Sequence, residues 1–97
     1  VTRLPRDTGL KVPHVGFNQV RSAPSSRLFT GIDKAVDYYF VHSYKLEVEE
    51  RPGLAALCDY SGDFVAAYEF ENIFACQFHP EKSQTNGLQL LTNFLKA

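Results

Sequence analysis

The chain has 97 residues, 44% hydrophobic and 22% charged, with a formal net charge of −1. That is the composition of one globular domain or part of one, and it excludes a disordered chain as well as whole-chain attraction to nucleic acid or anionic lipid. The longest apolar runs, residues 54–58 and 64–68, are far short of the roughly 20 residues that span a bilayer, and the N-terminus lacks the apolar core of a signal peptide.

The sequence has no Met and begins at Val1, so it reads as a chain whose leader was removed or as a piece of something longer. Its charge is uneven. Residues 1–30 hold Arg3, Arg6, Lys11, Arg21 and Arg27 against one acid, Asp7, while residues 31–97 hold five bases and ten acids. Such a distribution reads as a solvated surface, with an acidic partner for the basic third as the alternative.

In chain order, residues 1–11 are polar and read as a loop. Residues 12–20 (VPHVGFNQV) read as a short strand punctuated by Pro13 and Gly16. After a loop at residues 22–26, Ser25 is placed to cap a short helix with Leu28, Phe29 and Ile32 on its apolar face and Gly31 near its end. Four strands are then predicted: residues 38–44 (YYFVHSY), 54–60, 64–70 and 73–79. The turn signals Pro52-Gly53, Ser61-Gly62-Asp63 and Glu71-Asn72 bound them, so the last three form an antiparallel meander. Alternation puts Phe74, Cys76 and Phe78 on one face of the final strand and Ala75, Gln77 and His79 on the other. A terminal helix follows, with Asn86 as its N-cap and Gln89 at capping-box spacing. Its stripe of Leu88, Leu91 and Leu95, flanked by Leu90 and Phe94, is expected to pack on the sheet. The arrangement is an α/β layer.

Chemistry concentrates in residues 77–83 (QFHPEKS). His79 ends a predicted strand, where α/β proteins place functional groups, and Pro80 forces it into an extended backbone. Glu81, two residues on, can turn back to the imidazole. A carboxylate on one ring nitrogen fixes the tautomer and leaves the other free to take a proton, which is the base-and-orienter part of a nucleophilic triad. By itself a His-x-Glu is short and common, and a solvated loop is then the better account of it. The nucleophile is absent. Cys58 lacks a glycine-rich elbow, and Cys76 precedes His79 on the same strand facing the other way, so both read as buried thiols of a reducing compartment rather than as a disulfide or zinc site.

The combination of segments is more specific. Gln77-Phe78-His79-Pro80-Glu81 resembles the His/Glu motif of the triad glutamine amidotransferases, Cys-His-Glu glutaminases with a flavodoxin-like α/β domain. Three further blocks narrow the resemblance: Lys82-Ser83-Gln84 with Gly87-Leu88 and Asn93-Phe94-Leu95, Val12-Pro13-His14-Val15-Gly16 with Asn18, and Tyr38-Tyr39-Phe40-Val41-His42-Ser43-Tyr44. Together they are similar to the glutaminase subunits of imidazole glycerol phosphate synthase, of histidine biosynthesis, over roughly residues 12–96. The resemblance implies the C-terminal half of a class I glutamine amidotransferase domain over residues 1–97, with an antiparallel meander, a closing helix, and the nucleophile half missing.

It also implies roles. His79 is the general base and Glu81 its orienter. His42, Ser43 and Tyr44 meet the amino-acid end of L-glutamine through backbone groups. Lys82, Phe17 and Asn18 lie near one face, toward the synthase partner and the route of ammonia. The implied partner is a (β/α)8-barrel cyclase, as a heterodimer subunit or a fused domain, in the cytoplasm, with no cofactor, metal, nucleic acid or membrane. Phe17 stands where the family usually has Trp, which keeps the aromatic surface but loses the indole N–H. The isolated chain is expected to be marginally stable and without glutaminase activity.

Alternatives are a related amidotransferase serving anthranilate or nucleotide synthesis, a metal module built on His14, His42 and His79 with Glu81 or Cys76, and a non-catalytic interaction half-domain. The lysine after His-Pro-Glu argues against the first, and the lack of ligand spacing against the second.

Overall fold

The structure, a computed structural model, describes residues 2–4, 13–32, 35–48, 52–60 and 62–96. Five strands form one antiparallel sheet in the order β3-β2-β5-β6-β7: β2 His14–Arg21, β3 Ala35–His42, β5 Leu54–Asp59, β6 Asp63–Phe70 and β7 Ile73–Cys76. Two short strands, β1 Thr2–Arg3 and β4 Tyr44–Lys45, pair beside it. A 3-10 turn, Pro80–Lys82, leads into the one α-helix of the described residues, α1 Gln84–Lys96.

The meander of β5, β6 and β7 forms as the turn signals predict, and β2 pairs with β3 over its full length. Alternation makes β2 and β3 one-sided, while β6 is buried on both faces from Phe64 to Ala67. His14, Val20, Tyr38, Phe40 and His42 point inward and are buried, while Val15, Phe17 and Val41 point outward. Gly16, opposite Phe40, has a φ of 126°, which an L side chain rarely adopts.

Beyond Cys76 the chain leaves the sheet edge and curls the sheet into a half-barrel. The Gln77 N–H donates to Ala66 O on β6 (2.7 Å), and the His79 N–H donates to Tyr39 O on β3 (2.8 Å), at the far edge. Between them Phe78 stacks on Tyr38 (centroids 4.2 Å) and closes the aromatic core with Phe40 and Phe64. The predicted strand to His79 therefore stops at Cys76, because its last residues serve a different edge.

Several other expectations are corrected. Residues 2–3 form β1 instead of loop, and Leu4 is buried, while residues 5–11 lie outside the described residues, as do Val12 and Ser61 of the predicted strand and hairpin loop. The short helix after Ser25 is a series of turns. Ser26, not Ser25, caps it by accepting the Phe29 N–H (3.2 Å). The turns are pinned from β6 by buried Glu69, which accepts from the Ser26 hydroxyl (2.6 Å) and the Arg27 and Leu28 amides. Burial opposes ionisation of Glu69, but these donors and the Arg27 guanidinium more than offset it and hold its carboxyl below the usual range. A carboxylate supplied by another strand thus satisfies first-turn N–H groups that have no partner within the turns themselves.

Helix α1 starts at Gln84, which places Asn86 inside it. The Asn86 amide donates to Asp37 O (3.3 Å), and Gln89 bonds Asn93, so there is no capping box. Gly87 and Leu90 are its buried residues, whereas Leu88 and Leu95 are 65% and 82% exposed. The stripe therefore packs along one flank only, where Leu90 enters the core and Phe94 meets Phe74 of β7 edge-on (5.6 Å). Cys58 is buried as expected, but Cys76 is exposed because β7 is an edge strand. Among the described residues no helix is long and apolar enough to cross a membrane.

Candidate active site

His79 and Glu81 come together as the sequence pattern suggests. His79 Nδ1 lies 3.2 Å from Glu81 Oε2, with both side chains reaching solvent. The Glu81 carboxyl is held below the usual range by its own backbone N–H and then by the His79 ring. An ionised carboxylate only accepts, so Nδ1 carries the proton and Nε2 of the neutral ring presents a lone pair. This is the arrangement a general base requires.

The backbone of His79 is fixed by a small circuit. Its N–H donates to Tyr39 O, its carbonyl accepts the Ser83 hydroxyl (2.6 Å), and Ser83 Oγ accepts the Tyr39 N–H (2.9 Å). Ser83 is 1% exposed and holds the 3-10 turn to β3. The turn is also pressed onto α1, where a Cβ on Gly87 would lie 1.8 Å from Pro80 O. Sequence reasoning missed both residues as positioning groups. Gly87 carries a signal, since a glycine inside a helix costs about 1 kcal/mol relative to Ala and so points to a close approach. Ser83 carries none that separates it from any other loop serine.

The other predicted residues divide into two groups. Phe17 projects outward, edge-on to Tyr39 (5.3 Å), and Lys82 lies 6.0 Å from the same Tyr39 ring. These three share one outer surface. Asn18 does not, which corrects the placement of Phe17 and Asn18 near one face: neighbours on a strand point to opposite faces. Its amide nitrogen reaches His14 Nε2 (3.4 Å) and Asp59 O (3.4 Å).

His42 is also buried, with Nε2 2.9 Å from His14 Nδ1 and Nδ1 2.7 Å from Tyr44 O. Ser43 O accepts the Leu4 N–H (2.8 Å), and Tyr44 is 54% exposed. Residues 43–46 leave the end of β3 and cross to β6, where Val65 N–H donates to Leu46 O (3.0 Å). There a shallow apolar groove of about 140 Å³ is lined by Leu46, Val65, Ala67, Cys76 and Gln77 among others. The segment after Tyr44 and the segment before His79 thus border one depression.

The three histidines are not one set. His14 and His42 meet inside, while His79 pairs with Glu81, and among the described residues no group of three or more His, Cys, Asp or Glu could hold a metal. Burial, followed by the neighbouring His42, lowers the His14 pKa to about 4, and burial lowers that of His42 despite the Tyr44 carbonyl. Both are neutral near pH 7. Burial and the charge of Asp59 push the Cys58 thiol up to about 12. Packing around the Cys76 sulfur, then the charge of Glu81, raise that thiol too. Neither cysteine has the lowered pKa of an activated nucleophile.

Comparison with known proteins adds an independent line. Residues 7–97 match the family glutamine amidotransferase class-I. Among curated proteins the chain is 50% identical over 88 residues to the imidazole glycerol phosphate synthase subunit HisH of Acinetobacter baylyi, covering 90% of this chain and 43% of that protein. It is 47% identical to the HisH subunit of Dechloromonas aromatica, covering 96% and 43%, and 47% identical to that of Salmonella typhimurium, covering 93% and 45%. The chain therefore spans less than half the length of the curated relatives it matches.

Proposed function

The chain belongs to the class-I glutamine amidotransferases, and on that premise we propose that it supplies the base and orienter of a Cys-His-Glu triad that releases ammonia from glutamine for imidazole glycerol phosphate synthase, in histidine biosynthesis. The observation that carries the reading is the His79 ring, held through Nδ1 by an ionised Glu81 with Nε2 left as acceptor. The similarity to HisH subunits supports the choice of pathway.

His79 Nε2 takes the proton of a cysteine thiol supplied by the part of the relatives' length that this chain does not span. The thiolate attacks the side-chain amide carbon of glutamine. His79 returns the proton to the departing ammonia, then takes one from the water that cleaves the thioester to glutamate. Glu81 keeps the tautomer and stabilises the imidazolium between these steps. His42, Ser43 and Tyr44 bring the backbone that meets the amino-acid end of glutamine, beside the groove bordered by Gln77.

Ammonia is protonated in bulk water, so a partner that takes it directly is chemically sensible. We assign the surface of Phe17, Tyr39 and Lys82 to that partner, a (β/α)8-barrel cyclase, as a separate subunit or fused domain. Asn18, half-buried, turns to the opposite side of β2. The setting is the cytoplasm, where the thiols stay reduced.

The test uses the full-length protein. His79→Ala is expected to lower glutamine-dependent ammonia release by a factor on the order of 10² or more, while synthesis from added ammonium salt continues at the normal rate. Near-normal ammonia release by this variant overturns the assignment.

A further inference from the structure

Inside the half-barrel the side chains of Asn18, His14 and His42 form one line that ends on a backbone carbonyl, and its hydrogen positions can be deduced from the ends inward. Tyr44 O can only accept, so His42 Nδ1 carries its proton (2.7 Å) and His42 Nε2 is an acceptor. His14 Nδ1 must then donate to it (2.9 Å), which leaves His14 Nε2 as an acceptor. The Asn18 amide N–H meets that nitrogen (3.4 Å). Asn18 cannot flip, because its Oδ1 accepts the Gln19 N–H (2.8 Å) and its second amide hydrogen faces Asp59 O. Every donor and acceptor along the line is matched in one way only.

The rings are also clamped. His14 is stacked between Tyr60 (centroids 3.7 Å) and Phe40 (4.9 Å), and His42 lies against Phe64 (5.0 Å). A buried, fully satisfied polar line of this kind rigidifies what it holds. What it holds is the point where the chain leaves β3 and turns into β4. Because the peptide is planar, fixing the Tyr44 carbonyl also fixes the direction of the following N–H, and so the local path of residues 43–45.

We propose that Asn18 and His14 are positioning residues for the glutamine site: acting through His42, they hold the backbone of Ser43 and Tyr44 in the orientation that receives the amino-acid end of glutamine. The inference rests on the assignment of that backbone under the proposed function. It places the determinant of glutamine affinity on β2, two side chains away from any contact with substrate.

The deciding variant, in the full-length protein, is His14→Phe, which keeps the stacking on Tyr60 and Phe40 but removes the donor to His42. Losing one buried hydrogen bond corresponds to about tenfold. The expected result is a rise of that order in KM for glutamine, with kcat at saturating glutamine changed less than about threefold. His14→Asn, whose amide nitrogen can stand where Nδ1 stood, is expected to restore part of the loss. Nitrogen NMR of the unmodified protein adds a readout that needs no variant: both His14 and His42 are expected as the neutral Nδ1–H tautomer at pH 7. An Nε2–H tautomer at His42, or an unchanged KM in folded His14→Phe, overturns the proposal. If His79→Ala is inactive at the same time, the functional assignment survives and only the positioning role falls. If His79→Ala is active, the assignment itself has failed.

Discussion

The fold holds one imidazole–carboxylate pair and one imidazole–imidazole pair, whose surroundings give them opposite chemistry. His79 stands at the solvent edge with a carboxylate on Nδ1, so its charged form has a partner and its neutral form offers a base. His14 and His42 lie inside, with neutral partners among the described residues, and burial suppresses their charge. The same side chain is thus suited to carry a proton in one place and to hold a fixed tautomer in the other. The difference is set by burial and by the type of partner, carboxylate against imidazole and carbonyl.

The largest expected effect tests that division directly. His42→Ala leaves a cavity and an unmatched His14 donor, and is expected to cost about 3 kcal/mol in urea unfolding. His79→Ala, half in solvent, is expected to cost less than about 0.5 kcal/mol. Equal losses for the two variants would break the comparison.

Gly87→Ala comes next. Its Cβ would collide with Pro80 O, so the turn that carries Glu81 must shift away from α1, at about 2 kcal/mol. Activity is expected to fall with stability here, unlike in His42→Ala, where KM for glutamine is the more sensitive readout. A stable, fully active Gly87→Ala would show that the turn has room to move.

The pH dependence separates the pairs further. His14 has a folded pKa of about 4, below its ordinary value of 6.5, so the unfolded chain binds more protons between those values. Stability is therefore expected to fall as pH drops from about 6.5 toward 4, by up to about 1.4 kcal/mol per unit for each such proton. Glu69 and Glu81 have lowered pKa values, so their contributions persist above the ordinary carboxylate pKa and are lost only at lower pH. Urea midpoints measured against pH should show the histidine step first, and His14→Phe should flatten it. A flat profile between pH 6.5 and 5 in the unmodified protein would contradict a buried neutral pair.

The smallest effect is on the outer surface. Lys82→Ala removes an exposed cation near Tyr39 and is expected to change stability by no more than about 0.5 kcal/mol. Coupling of glutamine hydrolysis to the synthase is expected to weaken. An unchanged response to the partner would remove Lys82 from that surface.

The strands, the meander and the His79/Glu81 pair were legible because each depends on neighbours in sequence: alternation at period two, turn residues between apolar runs, and a carboxylate two residues past the imidazole. The misread elements depend on distant residues. The turns at residues 26–32 are held by Glu69, more than 35 positions away, and the Asn86 side chain bonds Asp37 O from within the helix. The leucine stripe at helical period was legible as amphipathic, yet its surroundings were not.

By itself, then, the sequence determined which residues could do chemistry, because the capacity to donate, accept or ionise belongs to the side chain and its near neighbours. It singled out His79 with Glu81, but did not show that His14 and His42 pair with each other. Only the tertiary structure joined those two, by laying β2 against β3 with both rings turned inward, because burial and partnership between distant residues arise from contacts that no local pattern encodes.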